Sequence, residues 1–282
     1  MKRHFAALAA AILLGAAPAL AQQEKLPPLK TGVDGTFAPH AFPKLGGGTQ
    51  GFNIDLFTEV AKRMKREIII DSVSFSTLIP GMQSGRYDFV AAPVTATKER
   101  AENMLFTAGY MWTAFQFGIK KGSAPLKGWE DLKGKAVAVN KGTPYETLSK
   151  KKGEEIGFEV QAYDNQPDAV QAVLSGRAYA TLVGNTSTLY IASQNPMFVA
   201  DLELTDTRAH WPAAVPKDNP KLRAQLQDAI DCMKKDGSLV ALSEKWFKRT
   251  PPPDALERVI TPGYGVPGLP GYDPTPHDLH CA

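Results

Sequence analysis

The sequence predicts an α/β protein, and three observations carry that prediction. Short apolar or alternating runs suited to strands, Leu29–Val33, Glu67–Val73, Tyr87–Ala92, Ala136–Val139 and Ala180–Val183, alternate with segments whose apolar residues recur at helical spacing. The runs end in turn formers (Asp34-Gly35-Thr36, Pro93, Lys141-Gly142-Thr143-Pro144, Gly184-Asn185), placed at the strand ends where open α/β sheets bind ligands. Twice the chain passes from strand to threonine-bearing turn to helix start, once around Thr95–Arg100 and once around Gly142–Tyr145.

Composition bounds the class and leaves the architecture open. Met1–Ala21 has the layout of a secretory signal peptide: Lys2, Arg3 and His4 form a basic start, Phe5–Leu14 is apolar, and Ala19-Leu20-Ala21 is a small-residue cleavage site. The mature chain is therefore expected to begin at Gln22, in the periplasm. No cysteine stands beside that site to take a lipid, and no later run approaches the roughly 20 apolar residues of a membrane span. Losing Lys2 and Arg3 takes the formal charge from +3 to +1, which argues against a nucleic-acid-binding protein. About 260 mature residues can fill one large core or two of ordinary size.

In chain order, Leu29–Val33 leads into the loop Asp34–Pro39, and Leu45–Thr49 is a glycine-rich hairpin tip. The next helix buries Leu56, Phe57, Val60, Ala61 and Met64. After the strand Glu67–Val73 stands Phe75. Pro93 ends the strand Tyr87–Ala92, and Lys98–Asn103 begins a helix. There Thr95, Thr97 and Arg100 gather hydroxyls, helix-start N–H groups and a guanidinium fork, a set that suits a carboxylate. The same residues fit a capped surface helix whose Arg100 pairs with a neighbouring glutamate. Thr113–Ile119 reads as a strand leaving this unit, and Thr205–Trp211 as the strand returning to it. A final helix carries Leu222, Leu226, Ile230 and Met233 on one face and stops at Asp236-Gly237-Ser238.

Phe75-x-x-Leu-Ile-Pro, Gln83-Ser-Gly-Arg-Tyr-Asp88, Thr95-x-Thr-x-x-Arg100 and Phe106-Thr-x-x-Tyr110, in that order, resemble the polar-amino-acid family of periplasmic solute-binding proteins, the capture subunits of ATP-binding-cassette importers. The resemblance extends from about Leu29 to Phe247. It implies two α/β lobes closing over one ligand: a discontinuous first lobe (26–115 and 205–249), a second lobe (116–204) and two crossover strands, with a proline-rich C-terminal tail (250–282), read from its prolines, beyond the resemblance. It further implies a monomer that presents a small carboxylate ligand to an inner-membrane permease, with no cofactor and no metal. By resemblance, Asp34 and Phe37 line the cleft, Phe75 stacks on the ligand, and Gly142-Thr143 closes on its carboxylate beside Arg100 and Thr95. Read from the residues alone, Phe37 is equally a core side chain, Phe75 is more often one, Asp34 equally bonds its own loop, and Thr143 is a helix cap.

Two positions depart from the family. Its amino-acid binders usually carry an acid at the strand end occupied here by Gly184-Asn185, to hold the ligand's ammonium; Asn185 offers one uncharged acceptor. Pro93 stands where relatives offer a backbone N–H, which proline lacks. Both changes point away from a standard α-amino acid.

Thr250–Ala282 is crowded with prolines and is expected to be irregular. Its Gly263-x-Gly-x-x-Gly268 matches a nucleotide-loop pattern in letters only, since no strand precedes it and Pro267 would break the helix. His277, His280 and Cys281 are candidate metal ligands, but in a flexible tail three such residues more often bind nothing. Cys232 lies roughly 100° around the wheel from the centre of the buried stripe, within reach of an arriving tail, so a Cys232–Cys281 disulfide is expected in an exported protein.

The leading function is solute capture. Cyclohexadienyl-type dehydratases resemble the same family, yet Asp34 is the one carboxylate placed in the cleft and no histidine occupies a motif position, so acid–base catalysis has little support. An accessory protein for a periplasmic dehydrogenase is the remaining alternative.

Overall fold

The structure is a computed structural model and describes residues 26–281; the expected signal peptide lies outside the described residues. The chain runs through β1 (Leu29–Asp34), a hairpin of β2 (Phe42–Pro43) and β3 (Thr49–Gln50), α1 (Phe52–Arg63), β4 (Ile68–Val73), α2 (Phe75–Gln83), β5 (Phe89–Val90), α3 (Lys98–Asn103), β6 (Met104–Phe106) and the long β7 (Met111–Lys120). It continues through β8 (Ala136–Asn140), α4 (Pro144–Ile156), β9 (Glu159–Tyr163), α5 (Gln166–Leu174), β10 (Ala180–Gly184), α6 (Asn185–Gln194) and β11 (Phe198–Trp211). It closes with β12 (Ala214–Pro216), α7 (Pro220–Lys235) and α8 (Ser238–Phe247).

Two five-stranded sheets form, in the orders β4-β1-β5-β12-β6 and β11-β7-β10-β8-β9. In each, the strands that carry the turns singled out from sequence pair in parallel, β1 with β4 and β5, and β8 with β9 and β10. Their C-terminal ends therefore point the same way within a sheet, which is what gathers distant turns at one cleft. The antiparallel pair β7 and β11 links the sheets: Met111 sits opposite Trp211 at the first lobe, and Lys120 opposite Phe198 far into the second. The molecule is thus a two-lobed α/β fold with two crossover strands.

The expected helical faces are the buried ones. On α1, Phe52, Leu56, Phe57, Val60 and Ala61 are buried against β1, β5 and α7 in one apolar cluster, each large side chain contributing about 1.5 to 3 kcal/mol relative to exposure. Asp55, on the outer side of α1, accepts from Lys245 Nζ (2.6 Å) and Trp246 Nε1 (2.8 Å), which fastens α8 to the first lobe across 190 residues of sequence. On α4, Thr143 caps the N-terminus, Pro144 occupies the first turn, and Gly157 ends the helix at φ 91°.

Segment 250–281 has no helix or strand beyond one bridge between Tyr264 and Asp273, yet it does not hang free. Arg223 Nη1 on α7 donates to Gly271 O (2.7 Å), Gln227 Nε2 to Gly263 O (2.7 Å), and Gln227 Oε1 accepts from Gly265 N (2.9 Å). Val266 joins the apolar cluster of Met104 and Phe106, and Cys281 is bonded to Cys232. The expectation of a flexible segment is thereby corrected. Backbone polar groups that no ladder satisfies are satisfied instead by long polar side chains of α7. The metal reading loses its ligands as well: Cys281 is in the disulfide, and His277 stacks on Tyr264 with ring centroids 4.0 Å apart while its Nε2 contacts Asp228 Oδ1 at 3.2 Å.

Candidate functional site

Strand ends from both lobes meet in one cavity. Asp34 at the end of β1, Phe37 in the next loop, Phe75 at the start of α2, and Pro93 and Thr95 beyond β5 face Asn140 at the end of β8 and Thr143, Pro144 and Tyr145 at the start of α4. The enclosed free volume is about 10 Å³, at the lower limit of what one water occupies.

The lobes touch directly here. Asn140 Nδ2 donates to Asp34 Oδ2 (3.0 Å), and Asp34 Oδ1 accepts from Thr36 N (3.0 Å) and Thr36 Oγ1 (2.6 Å). Burial pushes the Asp34 carboxyl above its ordinary range, opposed by the bonds from Thr36, Asn140 and the Phe75 backbone. Both Asp34 oxygens are therefore engaged by the protein.

Arg100 lines a more open cleft of about 470 Å³ that adjoins this cavity through Thr95, Thr143 and Pro144. Its Nη1 donates to Thr95 O (3.1 Å), its Nη2 crosses the lobes to Gly142 O (3.2 Å), and its guanidinium lies over the Phe75 ring at 5.6 Å. No carboxylate of the described residues lies within ion-pair distance of it. Burial lowers its pKa to about 10, so it stays charged at neutral pH. The anticipated helix-start donors are not available around it: α3 is only six residues long, and Thr97 Oγ1 already accepts from Arg100 N (3.2 Å).

The facing turn is satisfied internally. Thr143 Oγ1 donates to Asn140 O (2.5 Å) and accepts from Glu146 N (3.3 Å), while Gly142 N donates to Glu146 Oε2 (2.7 Å).

Of the residues singled out from sequence, the structure brings together Asp34, Phe37, Phe75, Thr95, Arg100 and Thr143. It does not bring in Asn185. That side chain accepts from Thr186 N (2.9 Å) at the start of α6 and lines a different cavity behind the crossover strands, with Trp112, Arg208 and Glu257. An asparagine at a helix start caps locally before it reaches a distant ligand.

Four residues that sequence reasoning passed over complete the seam. Asn140 and Tyr145 flank the Gly142-Thr143 turn. Trp211, fully buried, donates from Nε1 to Thr95 Oγ1 (3.1 Å). His40, also fully buried, links the lobes: its Nδ1 faces Asn53 Oδ1 (3.0 Å) and its Nε2 faces Thr186 Oγ1 (2.8 Å). Asn53 Nδ2 donates to Ala91 O and Tyr110 Oη, so Asn53 Oδ1 is left as an acceptor, which assigns the His40 proton to Nδ1 and makes Nε2 accept from Thr186. Burial lowers the His40 pKa to about 3, which keeps the ring neutral. The signal for Tyr145 was available, a bulky ring directly after the Thr-Pro turn; nothing local marks His40.

Residues 29–249 match the family model of bacterial extracellular solute-binding proteins, family 3. The chain belongs to that family. It is 30% identical over 249 residues to a putative amino-acid ABC transporter-binding protein, PatH, of Vibrio harveyi, covering 88% of this chain and 98% of the relative. It is 32% identical over 220 residues to the L-cystine-binding protein TcyJ of Escherichia coli strain K12, covering 78% and 82%. An ancestral arginine-binding protein bound to arginine superposes with a TM-score of 0.75 at 34% identity, covering 78% of this chain and 97% of the other. As a member of the family, this protein is a solute-binding protein and not an enzyme; it captures an amino acid or other small solute by lobe closure for an ATP-binding-cassette importer.

Proposed function

We propose that the captured solute carries a carboxylate, held by Arg100, with Thr95 and Thr143 flanking it from opposite lobes and Asp34, Phe37 and Phe75 forming the remaining wall. One observation carries this reading: Arg100 is a half-buried cation whose side-chain hydrogen bonds among the described residues go only to carbonyl oxygens, Thr95 O and Gly142 O. A charge drawn partly out of water is best stabilised by an opposite charge, and a ligand carboxylate supplies that partner with two parallel hydrogen bonds. Acids without an ammonium group are preferred, because Gly184 offers no acid and both Asp34 oxygens are engaged. Calorimetry with matched pairs, propionate against L-alanine and glutarate against L-glutamate, tests this: the plain acid of each pair binds more tightly, and a consistent preference for the amino acid ends the preference claim.

The protein works as a monomer exported by its N-terminal signal peptide, with lobes at 26–115 plus 205–249 and at 116–204, and the proline-rich 250–281 packs as part of the first lobe. A second reading, an accessory protein for a periplasmic dehydrogenase, is favoured by one observation, that residues 250–281 lie beyond the family match. Co-purification of a dehydrogenase with the native protein would support it.

A further inference from the structure

Resting on the capture reading, we infer that Tyr145 is a built-in surrogate for the solute: its phenol fills the cavity between the lobes and restricts the protein to the smallest acids. Tyr145 belongs to the second lobe, is 4% exposed, and stands edge-on to Phe115 with centroids 4.6 Å apart. Its hydroxyl stands beside the Thr95 side chain of the first lobe and the Gly184 backbone of the second. A single oxygen set between the two lobes near the Arg100 charge occupies the place a solute oxygen would take on closure. The space bears this out, since with the ring in place the cavity lined by Asp34, Phe37, Phe75 and Thr95 keeps about 10 Å³.

The missing acid at position 184 follows from the same packing. A Cβ on Gly184 would stand 2.9 Å from the Trp211 ring and 3.0 Å from the Tyr145 hydroxyl, so any side chain there collides with the two rings that close the site. The glycine and the tyrosine are therefore one arrangement, in which an internal ring replaces both the ammonium-binding acid and the solute's own side chain. A larger acid binds only by displacing the ring.

The test is calorimetry of the mature protein, its Tyr145→Gly variant and its Tyr145→Phe variant against acetate, propionate, L-glutamine and L-arginine, with melting curves to show that each variant folds. In the parent protein affinity should fall from acetate to arginine. In Tyr145→Gly the two large ligands should gain at least tenfold, with a smaller gain in Tyr145→Phe, which keeps the ring and loses the bridging oxygen. A parent protein that binds L-arginine as tightly as acetate, unchanged in both variants, overturns the inference while leaving Arg100 as the carboxylate site, the solute then lying in the outer cleft near Thr147 and Lys151. Absence of acid binding in all three proteins overturns this inference together with the capture of a carboxylate.

Discussion

Two turns face each other across the cleft, and they spend their polar groups differently. In the second lobe, Gly142 N, Thr143 Oγ1 and Glu146 form a closed set in which donors and acceptors serve the start of α4. In the first lobe, Arg100 reaches past its own short helix and finds carbonyls on both sides of the cleft, Thr95 O and Gly142 O. One turn is finished without a ligand; the other holds a net charge that its neighbours do not neutralise. On the proposed reading, recognition of an anion is thus concentrated in one side chain, and the opposing turn supplies shape.

Replacing Arg100 should break that asymmetry most severely. Arg100→Ala is expected to weaken binding of a plain acid by more than tenfold, since losing one partner of a buried charge pair commonly costs about 2 to 5 kcal/mol. Arg100→Lys should restore only part of it, because an ammonium has no planar fork to span both carbonyls and a carboxylate. Unchanged calorimetric affinity in Arg100→Ala would contradict the assignment.

The next effect concerns the neutral link beside this charged one. The His40 pKa is about 3 in the fold against 6.5 for the free side chain, so the unfolded chain takes up the proton first as pH falls. Its contribution to stability is complete above about pH 6.5 and is lost progressively towards pH 3, amounting to about 2 kcal/mol between pH 7 and pH 5. Urea titrations at the two pH values should show this difference, and a smaller one in His40→Gln.

Thr143→Ala addresses the self-satisfied turn. It should lower stability by about 1 kcal/mol through loss of the helix cap and alter acid affinity far less than Arg100→Ala does; an affinity loss equal to that of Arg100→Ala would erase the distinction between the turns. Smallest of all is Asn185→Ala, which should leave acid affinity within about twofold, because the side chain faces a separate cavity.

What could be read in the sequence was whatever depends on neighbours along the chain. Strand ends are local, so Asp34, Phe37, Phe75, Thr95 and Thr143 were found at one cavity once parallel pairing aligned their strands. Asn140 ended an apolar run and gave no sign that its amide would meet Asp34, 106 residues away. His40 stood alone in a loop; its role exists only where Asn53 and Thr186 converge from different lobes. Position 185 was read correctly as a strand end and wrongly as a ligand contact, since the side chain's nearest donor was the next backbone N–H. On α7 the apolar stripe predicted one buried face, while Arg223, Gln227 and Lys234 are buried as well, beneath a segment whose own sequence has no periodicity to announce that it packs.

That segment also bears on how the protein behaves beside other copies of itself. β6 is the outermost strand of the first sheet, and an unpaired strand edge invites another chain to add to it. Here the residues around Gly265 and Gly271 pass alongside Phe106 and Leu105, and Val266 packs onto Met104 and Phe106. Pro262, Pro267 and Pro270 punctuate this stretch, and proline has no N–H to donate to a ladder. The sheet is therefore bordered by backbone that covers its edge without presenting a new one, and the bond from Cys281 to Cys232 keeps that border from peeling away. Proline richness at the end of this chain works as insulation against strand-by-strand self-association.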